Sequence, residues 1–143
     1  QGYCEALAKF GLEPDENLIR QGFFDYASGL QCAESLLDME TPPTAIFASN
    51  DDMAAATIAA AYRRHIDVPG ELSIVGFDDT SIAAIISPQL TTVRQPMADL
   101  AARAISLLSD NSSRRLNGDK TENNIFLDHS VIVRESAAAL PAQ

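Results

Sequence analysis

The spacing of hydrophobic residues changes several times along the chain, and each change marks a predicted element. Tyr3, Leu7 and Phe10 share one face of an opening helix. Residues 18–24 contain β-branched and aromatic side chains and predict a strand. Apolar residues spaced three and four positions apart predict a second helix over residues 26–39.

Two continuous apolar runs, residues 44–48 and 72–77, predict strands that are buried on both faces of a parallel sheet. An alanine-rich helix is predicted between them, over residues 52–65. The remaining elements follow in chain order: a short strand over 90–94, a helix from Gln95-Pro96 to about residue 109, a polar loop over 110–124, short strands over 125–127 and 130–134, and a loose tail from residue 136.

Strands and helices alternate in this pattern, as is typical of an α/β domain. We therefore predict an open, mostly parallel sheet with helices on both faces, joined by right-handed crossovers. The chain has no initiator Met, and no capping residue precedes the opening helix, so we expect further residues upstream.

Composition narrows the kinds of partner that the chain can have. Its 143 residues are 46% hydrophobic, enough for the core of one compact domain. A formal net charge of −10 repels polyanions, so direct contact with nucleic acid is not expected. No apolar run approaches the roughly 18 to 20 residues of a membrane span. Cys4 and Cys32 lack a CxxC spacing, which favours a reducing, cytoplasmic location.

The sequence contains none of the motifs that build the common catalytic sites. It has no GxGxxG or GxxxxGK[ST] loop to hold a phosphate and no GxSxG elbow. His65 is expected at a helix C-terminus, where the helix dipole favours a cation, and His129 in an exposed turn. No cluster of Cys and His has the spacing of a zinc site. We therefore expect no metal, no cofactor and no catalytic residue.

Polar residues follow two of the predicted strands. Asn50, Asp51 and Asp52 come after the first buried strand, and Asp78 and Asp79 after the second. Ligands of open α/β sheets bind outside the carboxyl ends of the strands, so both groups are expected to face one crevice. Helix capping is an equally good explanation for the first two aspartates, and the last two could be turn residues.

Two classes of ligand suit such a rim. Clustered carboxylates can hold Mg²⁺ for phosphoryl transfer, but such sites need a lysine, and Lys9 and Lys120 follow no core strand. A neutral sugar needs a carboxylate and an amide for its hydroxyls and an aromatic ring for its C–H face. Asp78, Asn50 and Phe24 supply these parts, so a sugar is favoured, although Phe24 could instead be a core residue.

Four stretches of the chain resemble, in order, the sequence patterns of one family. They are PPTAIFASNDDMA at 42–54, VPGELSIVGFDD at 68–79, LTTVRQP at 90–96 and VRES at 133–136. All four are similar to the LacI/GalR family of bacterial transcriptional repressors, with Glu71 where that family usually has Asp.

The resemblance implies a periplasmic-binding-protein-like effector domain, in which two α/β subdomains enclose a ligand cleft. Residues 1–89 and 122–136 would form the C-terminal subdomain, 90–121 would carry a crossover and a helix of the N-terminal subdomain, and 137–143 would be a tail. The helix-turn-helix and most of the N-terminal subdomain are absent from these residues. The helix within residues 90–121 would therefore expose or rearrange the side chains that normally face this subdomain. These are Ala101, Ala104, Ile105 and Leu108.

The resemblance also assigns roles to individual residues. Asn50 and Asp78 match positions that bind sugar hydroxyls, Phe24 matches the stacking aromatic, and Gln95 and Met97 match cleft residues after the crossover. The helix over 53–64 and the segment 81–86 resemble the family's dimer surface, although some of their side chains could instead pack on the chain's own sheet. The expected dimer residues are Met53, Ala56, Ala60, Ile82 and Ile85.

The function that the resemblance implies is a ligand-operated switch and not an enzyme. A dimeric, cytoplasmic repressor would bind a small-molecule effector, a sugar or sugar derivative, that biases the arrangement of its subdomains. Operator DNA would be bound only through the helix-turn-helix, and no membrane contact is expected. The alternative is a periplasmic sugar-binding protein of a transport system, and a phosphoryl-transfer enzyme is a third hypothesis.

Overall fold

The computed structural model describes residues 1–115 and 125–139. This part of the chain forms five α-helices, one 3-10 turn and four strands. The helices are α1 (Gly2–Lys9), α2 (Tyr26–Leu37), α3 (Asp51–Arg63), α4 (Ser81–Ile85) and α5 (Met97–Arg115). The strands are β1 (Ala45–Phe47), β2 (Ser73–Asp78), β3 (Thr91–Arg94) and β4 (Ser130–Ile132).

The four strands form one sheet in the order β1-β2-β3-β4. The first three are parallel, and β4 runs antiparallel to β3. The predicted fold class, an open and mostly parallel α/β sheet, is therefore confirmed. The parallel register brings the carboxyl ends of β2 and β3 together, with Asp78 beside Arg94.

The core lies between this sheet and two helices, α2 and α3, that pack against each other on one face. Ala54, Ala60 and Ala61 of α3 are fully buried, as is Ile74 of β2. Alanine side chains let α3 approach both the sheet and α2 closely, which explains why this helix is rich in alanine.

The opposite face of the sheet differs from the expectation. Residues 44–48 were expected to be buried on both faces, but Phe47 is 54% exposed. Successive strand side chains point to opposite faces, and β1 forms an edge of the described sheet. Its burial pattern is therefore one-sided.

The predicted strand over residues 18–24 is wrong. The chain forms a 3-10 turn at Glu16–Leu18, and the residues that follow join none of the described strands. Their polar groups bind α2 instead: the backbone N–H of Phe23 donates to Ser28 Oγ at 2.9 Å. The aromatic and β-branched residues of this segment are typical of strands, but the segment contacts helix α2 instead of pairing with a strand.

The C-terminal third departs from the prediction in three places. Helix α5 continues to Arg115, beyond the predicted end near residue 109, because polar Ser, Asn and Arg residues are tolerated in a helix. The rest of the predicted loop, 116–124, lies outside the described residues. Residues 125–127 form no strand, whereas the predicted strand over 130–134 is confirmed in its first part as β4.

The expected loose tail is anchored at its first residue. Ser136 is fully buried, its hydroxyl donates to the carbonyl of Ile74 at 2.6 Å, and it accepts from the Thr91 backbone N–H at 2.9 Å. These bonds satisfy backbone groups of two neighbouring strands. Residues 140–143 of that predicted tail lie outside the described part.

Helices α1 and α5 expose apolar side chains. In α5, Ala101, Ala104, Ile105 and Leu108 are all exposed, as predicted. Helix α1 buries none of its residues, and Phe10 at its end is also exposed. Within the described residues, no helix combines the length and the hydrophobicity that crossing a bilayer requires.

Replacing Gly29 by Ala is expected to destabilise the fold by about 2 kcal/mol, although Ala is the better helix former. A Cβ at Gly29 in α2 would lie 2.7 Å from Met53 Cα in α3, and backbone atoms cannot move aside cheaply. Urea denaturation measures the difference. Gly2→Ala is the control, because a Cβ there meets nothing within 4 Å. Equal stability of the Gly29→Ala protein and the wild type would contradict the close helix contact.

Candidate functional site

Two of the predicted ligand-binding residues contact each other directly at the carboxyl ends of β2 and β3. The side-chain amide of Gln95 donates to Asp78 Oδ1 at 2.6 Å. Asp78 is the last residue of β2, and Gln95 immediately follows β3. Both side chains are half-buried. The parallel pairing of the two strands thus brings together residues that are 17 positions apart.

Asn50 lies at the N-terminus of α3 and joins that helix to the segment before α2. Its Oδ1 accepts from the Met53 backbone N–H at 2.9 Å and therefore caps the helix. Its Nδ2 donates to the carbonyl of Phe24 at 2.9 Å. The side chain of Asn50 therefore both caps α3 and binds the backbone of Phe24.

Phe24 is the last residue but one before α2. Its ring is 68% exposed, so the alternative that it is a core residue is wrong. Its backbone adopts a left-handed conformation, with φ at +60°. The next residue, Asp25, caps α2 by accepting from the Ser28 backbone N–H at 2.8 Å. This turn and the bond from Asn50 hold an exposed phenyl ring next to the α3 N-terminus.

Met97, the fifth predicted ligand residue, is the first residue of α5 and is exposed. Its backbone N–H donates to the carbonyl of Gln95, another of the five, at 2.9 Å. His65 and His129 are both exposed. Within the described ranges, no group of three His, Cys, Asp or Glu side chains is arranged to hold a metal ion.

Asp51 has a structural position that its sequence context did not reveal. It is 1% exposed, whereas its neighbour Asp52 is exposed. Its Oδ2 accepts from the backbone N–H of Thr80 at 2.6 Å and from the Thr80 hydroxyl at 3.0 Å. Its Oδ1 accepts from the Thr92 hydroxyl at 2.6 Å. Helix capping, an equally good explanation of Asp51 from the sequence, is performed by Asn50 instead.

Asp79 is not a simple turn residue either. Its side chain is only 6% exposed, and its two oxygens bind Arg94 Nε and Arg134 at 2.6 Å each. Burial raises the pKa of Asp79, but the hydrogen bonds and charges of Arg134 and Arg94 outweigh it and hold the pKa below its ordinary value. No sequence pattern placed these two arginines beside one carboxylate, because they lie 15 and 55 residues away.

The last residue of β2 and the first residue of the β2–α4 loop have an uncommon backbone. Asp78 and Asp79 have φ values of +112° and +54°, a backbone region that residues other than glycine rarely adopt. Such residues persist only where their surroundings hold them in place. The contacts of Asp78 with Gln95, of Asp79 with two arginines and of Thr80 with Asp51 supply that restraint.

The five residues expected at a dimer surface fall into two groups. Met53, Ala56 and Ala60 are buried within the chain, so the alternative that they pack inside it holds for these three. Met53 and Ala60 belong to the chain's own hydrophobic core. Ile85 is 77% exposed and Ile82 is half-buried, so α4 presents apolar surface to the outside.

Comparison with known proteins identifies the class to which this fold belongs. The family described as "Periplasmic binding protein-like domain" matches residues 1–137. The chain belongs to that family. Its relatives within the family are LacI-family transcriptional regulators, so the resemblance seen in the sequence is confirmed.

Two relatives show how far the similarity extends. Catabolite control protein A of Priestia megaterium is 38% identical over 137 residues, which are 95% of this chain and 40% of that protein. The HTH-type transcriptional repressor CytR of Escherichia coli K12 is 36% identical over 141 residues, 99% of this chain and 40% of the relative. The chain thus spans about 40% of the length of these relatives.

Solved structures give the same result. The transcriptional regulator CelR in complex with cellobiose superimposes with a TM-score of 0.85 at 34% identity, covering 96% of this chain and 41% of that one. A putative LacI transcriptional regulator from Bacillus cereus subsp. cytotoxis superimposes with a TM-score of 0.86 at 28% identity, covering 96% and 48%.

Proposed function

We propose that this chain is the effector-binding and dimerisation part of a ligand-controlled transcriptional repressor and that its effector is a sugar or sugar derivative. The observation that carries the proposal is the pair Asp78 and Gln95, in direct contact at the carboxyl ends of two parallel strands. Ligands of open α/β sheets bind at this edge. Asn50, which donates to the backbone carbonyl of Phe24, and the exposed ring of Phe24 extend the polar and aromatic surface.

The chemistry of these groups favours a neutral polyol. A carboxylate accepts from two adjacent hydroxyls, a side-chain amide donates and accepts, and a phenyl ring covers the C–H face of a sugar. An anionic ligand is disfavoured, because Asp78 is itself acidic and the two arginines nearby, Arg94 at the end of β3 and Arg134 beyond β4, are both paired with Asp79. The cellobiose bound by the related CelR supports the same class of ligand.

We infer the domain arrangement from the exposed apolar residues of α5. Residues 1–89 and 122–136 would form one subdomain, and 90–121 would pass through a crossover into a second, where side chains such as Leu100 and Ile105 would be covered. Residues 116–124 of this division lie outside the described part of the chain. Ligand binding in the cleft between them favours one arrangement by its difference in affinity for the two. Ile82 and Ile85 of α4 are the residues we propose for a homodimer surface.

The remaining parts of the proposal concern the whole protein. A helix-turn-helix outside this chain would bind operator DNA in the cytoplasm, and the net charge of −10 makes direct DNA contact by these residues unfavourable. The relatives are transcriptional regulators, which favours a non-catalytic switch over both a transport protein and an enzyme.

A thermal-shift panel on the full-length protein tests this function. The panel contains cellobiose, glucose, galactose, ribose, adenosine and hypoxanthine, and a ligand that binds only the folded state raises the Tm. We expect a sugar to raise it and the two purine compounds to leave it unchanged. A shift with a purine alone would overturn the sugar assignment, and the absence of any shift would contradict the proposed effector site.

Phe24→Ala is expected to weaken sugar binding roughly 2- to 10-fold, because stacking on an aromatic ring contributes about 0.5–1.5 kcal/mol. Isothermal titration calorimetry measures the change. Phe23→Ala is the matched control, since its ring is adjacent and equally accessible, at 76% exposed. The same loss in both variants would assign the effect to the general hydrophobicity of the rim and not to stacking on Phe24.

A further inference from the structure

The carboxylate of Asp51 is held in a polar cluster that we call the Asp51 network: Asp51, Thr80 and Thr92. The two hydroxyls and one backbone N–H of the threonines all point at the carboxylate, at 2.6 to 3.0 Å. Asp51 has no ion pair with any described residue, so these hydrogen bonds and the N-terminus of α3 compensate its burial. Burying such a group is costly, and its presence calls for a role beyond stability.

Each member of the Asp51 network lies next to a proposed ligand residue in the chain. Asp51 directly follows Asn50, Thr80 comes two residues after Asp78, and Thr92 three residues before Gln95. One carboxylate therefore connects the start of α3, the β2–α4 loop and strand β3. Asn50, Asp78 and Gln95 lie directly beside these three segments.

Two observations show that the Asp51 carboxylate and the loop bound to it have little room to move. A Cβ at Gly76 would lie 2.5 Å from Asp51 Oδ1, so the carboxylate is packed directly against the backbone of β2. The loop beyond β2 is held in left-handed conformations at Asp78 and Asp79, and its next residue, Thr80, donates twice to Asp51. The Asp51 network thus holds the residue that directly follows the two aspartates with positive φ.

We propose that Asp51 is a positioning residue of the effector site, and that its carboxylate sets the relative placement of Asn50, Asp78 and Gln95 without touching the ligand. The role of a simple helix cap is already filled by Asn50. The inference rests on the proposed function for the identity of the site. The positioning itself can be measured without a ligand, because the contact between Gln95 and Asp78 reports it.

The test compares two disrupting variants with two matched controls in the full-length protein. Asp51→Asn removes the charge, and Thr92→Val removes one donor while leaving Asp51 and its two bonds to Thr80 intact. Asp52→Asn makes the same charge change at an exposed neighbour. Thr57→Val removes a buried hydroxyl that donates to the Met53 carbonyl at 2.9 Å, away from the loop.

Two readouts are used, one with and one without ligand. The side-chain amide of Gln95 is observed by NMR after selective ¹⁵N-glutamine labelling, and Gln95→Met identifies its signal. Affinity is measured with cellobiose by isothermal titration calorimetry. We expect Asp51→Asn and Thr92→Val to move the Gln95 signal towards those of exposed glutamines and to weaken binding at least about fivefold. Both controls should leave the signal in place and the affinity within about twofold.

A Gln95 signal that stays unchanged in both disrupting variants, while the Tm falls as it does in Thr57→Val, would show that Asp51 is only structural and would overturn the proposal. A wild-type protein that binds none of the panel compounds would contradict the proposed function instead. The Gln95 signal would still decide whether Asp51 positions that side chain.

Discussion

Replacing Asp79 by Asn is expected to lower the free energy of unfolding by about 3 kcal/mol, because breaking a buried ion pair leaves a charge without its partner. Both oxygens of Asp79 are used, one by Arg94 and one by Arg134. The side chain of Arg134 is only 15% exposed and would be left poorly solvated. Asn tolerates the left-handed backbone of this position, so the substitution isolates the charge.

The matched control is Asp38→Asn, the same substitution in an exposed pair. Asp38 binds Arg64 through both oxygens, but its side chain is 63% exposed. Exposed pairs contribute at most about 1 kcal/mol, so this variant should remain close to the wild type. Urea denaturation at pH 7 measures both variants. Equal losses at positions 79 and 38 would contradict the special role of the loop aspartate.

The stabilising effect of Asp79 should also depend on pH. Its pKa is lower in the folded chain than the roughly 3.9 of an unfolded aspartate, so the folded state favours the ionised form. The contribution is therefore fully present above about pH 4 to 5 and is lost as the pH falls through the folded-state pKa. The stability difference between wild type and Asp79→Asn should be constant from pH 8 to about pH 5 and shrink below pH 4. A difference that grows on acidification would rule out this linkage.

Asp78→Ala is expected to weaken effector binding by roughly 5- to 150-fold, since an unsatisfied pair of ligand hydroxyls costs about 1–3 kcal/mol. The substitution also removes the acceptor of Gln95, which then loses its orientation. Calorimetry on the full-length protein, with the sugar that the panel identifies, measures the affinity.

Asp78→Gly separates the loss of the carboxylate from strain in the backbone. Glycine adopts a φ of +112° readily, so this variant should fold at least as stably as Asp78→Ala. Its affinity should nevertheless fall in the same range, because the carboxylate is absent from both. Unchanged affinity in both variants, with folding verified by circular dichroism, would remove Asp78 from the site.

The local pattern of hydrophobic and polar residues predicted most of the helices and strands, but it did not predict what each of them contacts. The helices around residues 26–39 and 52–65 and the strands β1 to β3 follow from hydrophobic spacing, and each lies within a few residues of its prediction. Residues 18–24 failed because strand composition does not specify a pairing partner, and contacts with α2 took its place. One-sided burial of β1 likewise depends on which helices cover the sheet.

By itself, the sequence determined the α/β class and the polar residues at the strand ends, because these depend on residue type and short-range spacing. The family was indicated by the resemblance of four motifs. Only the tertiary structure decided what each polar side chain contacts. Asp51 and Thr92 are 41 residues apart, and Asp79 and Arg134 are 55 apart. Such contacts arise where strand order and register bring distant segments together, and no local period encodes that distance. The structure likewise decided which α3 residues are buried, because burial depends on the neighbours that the fold supplies.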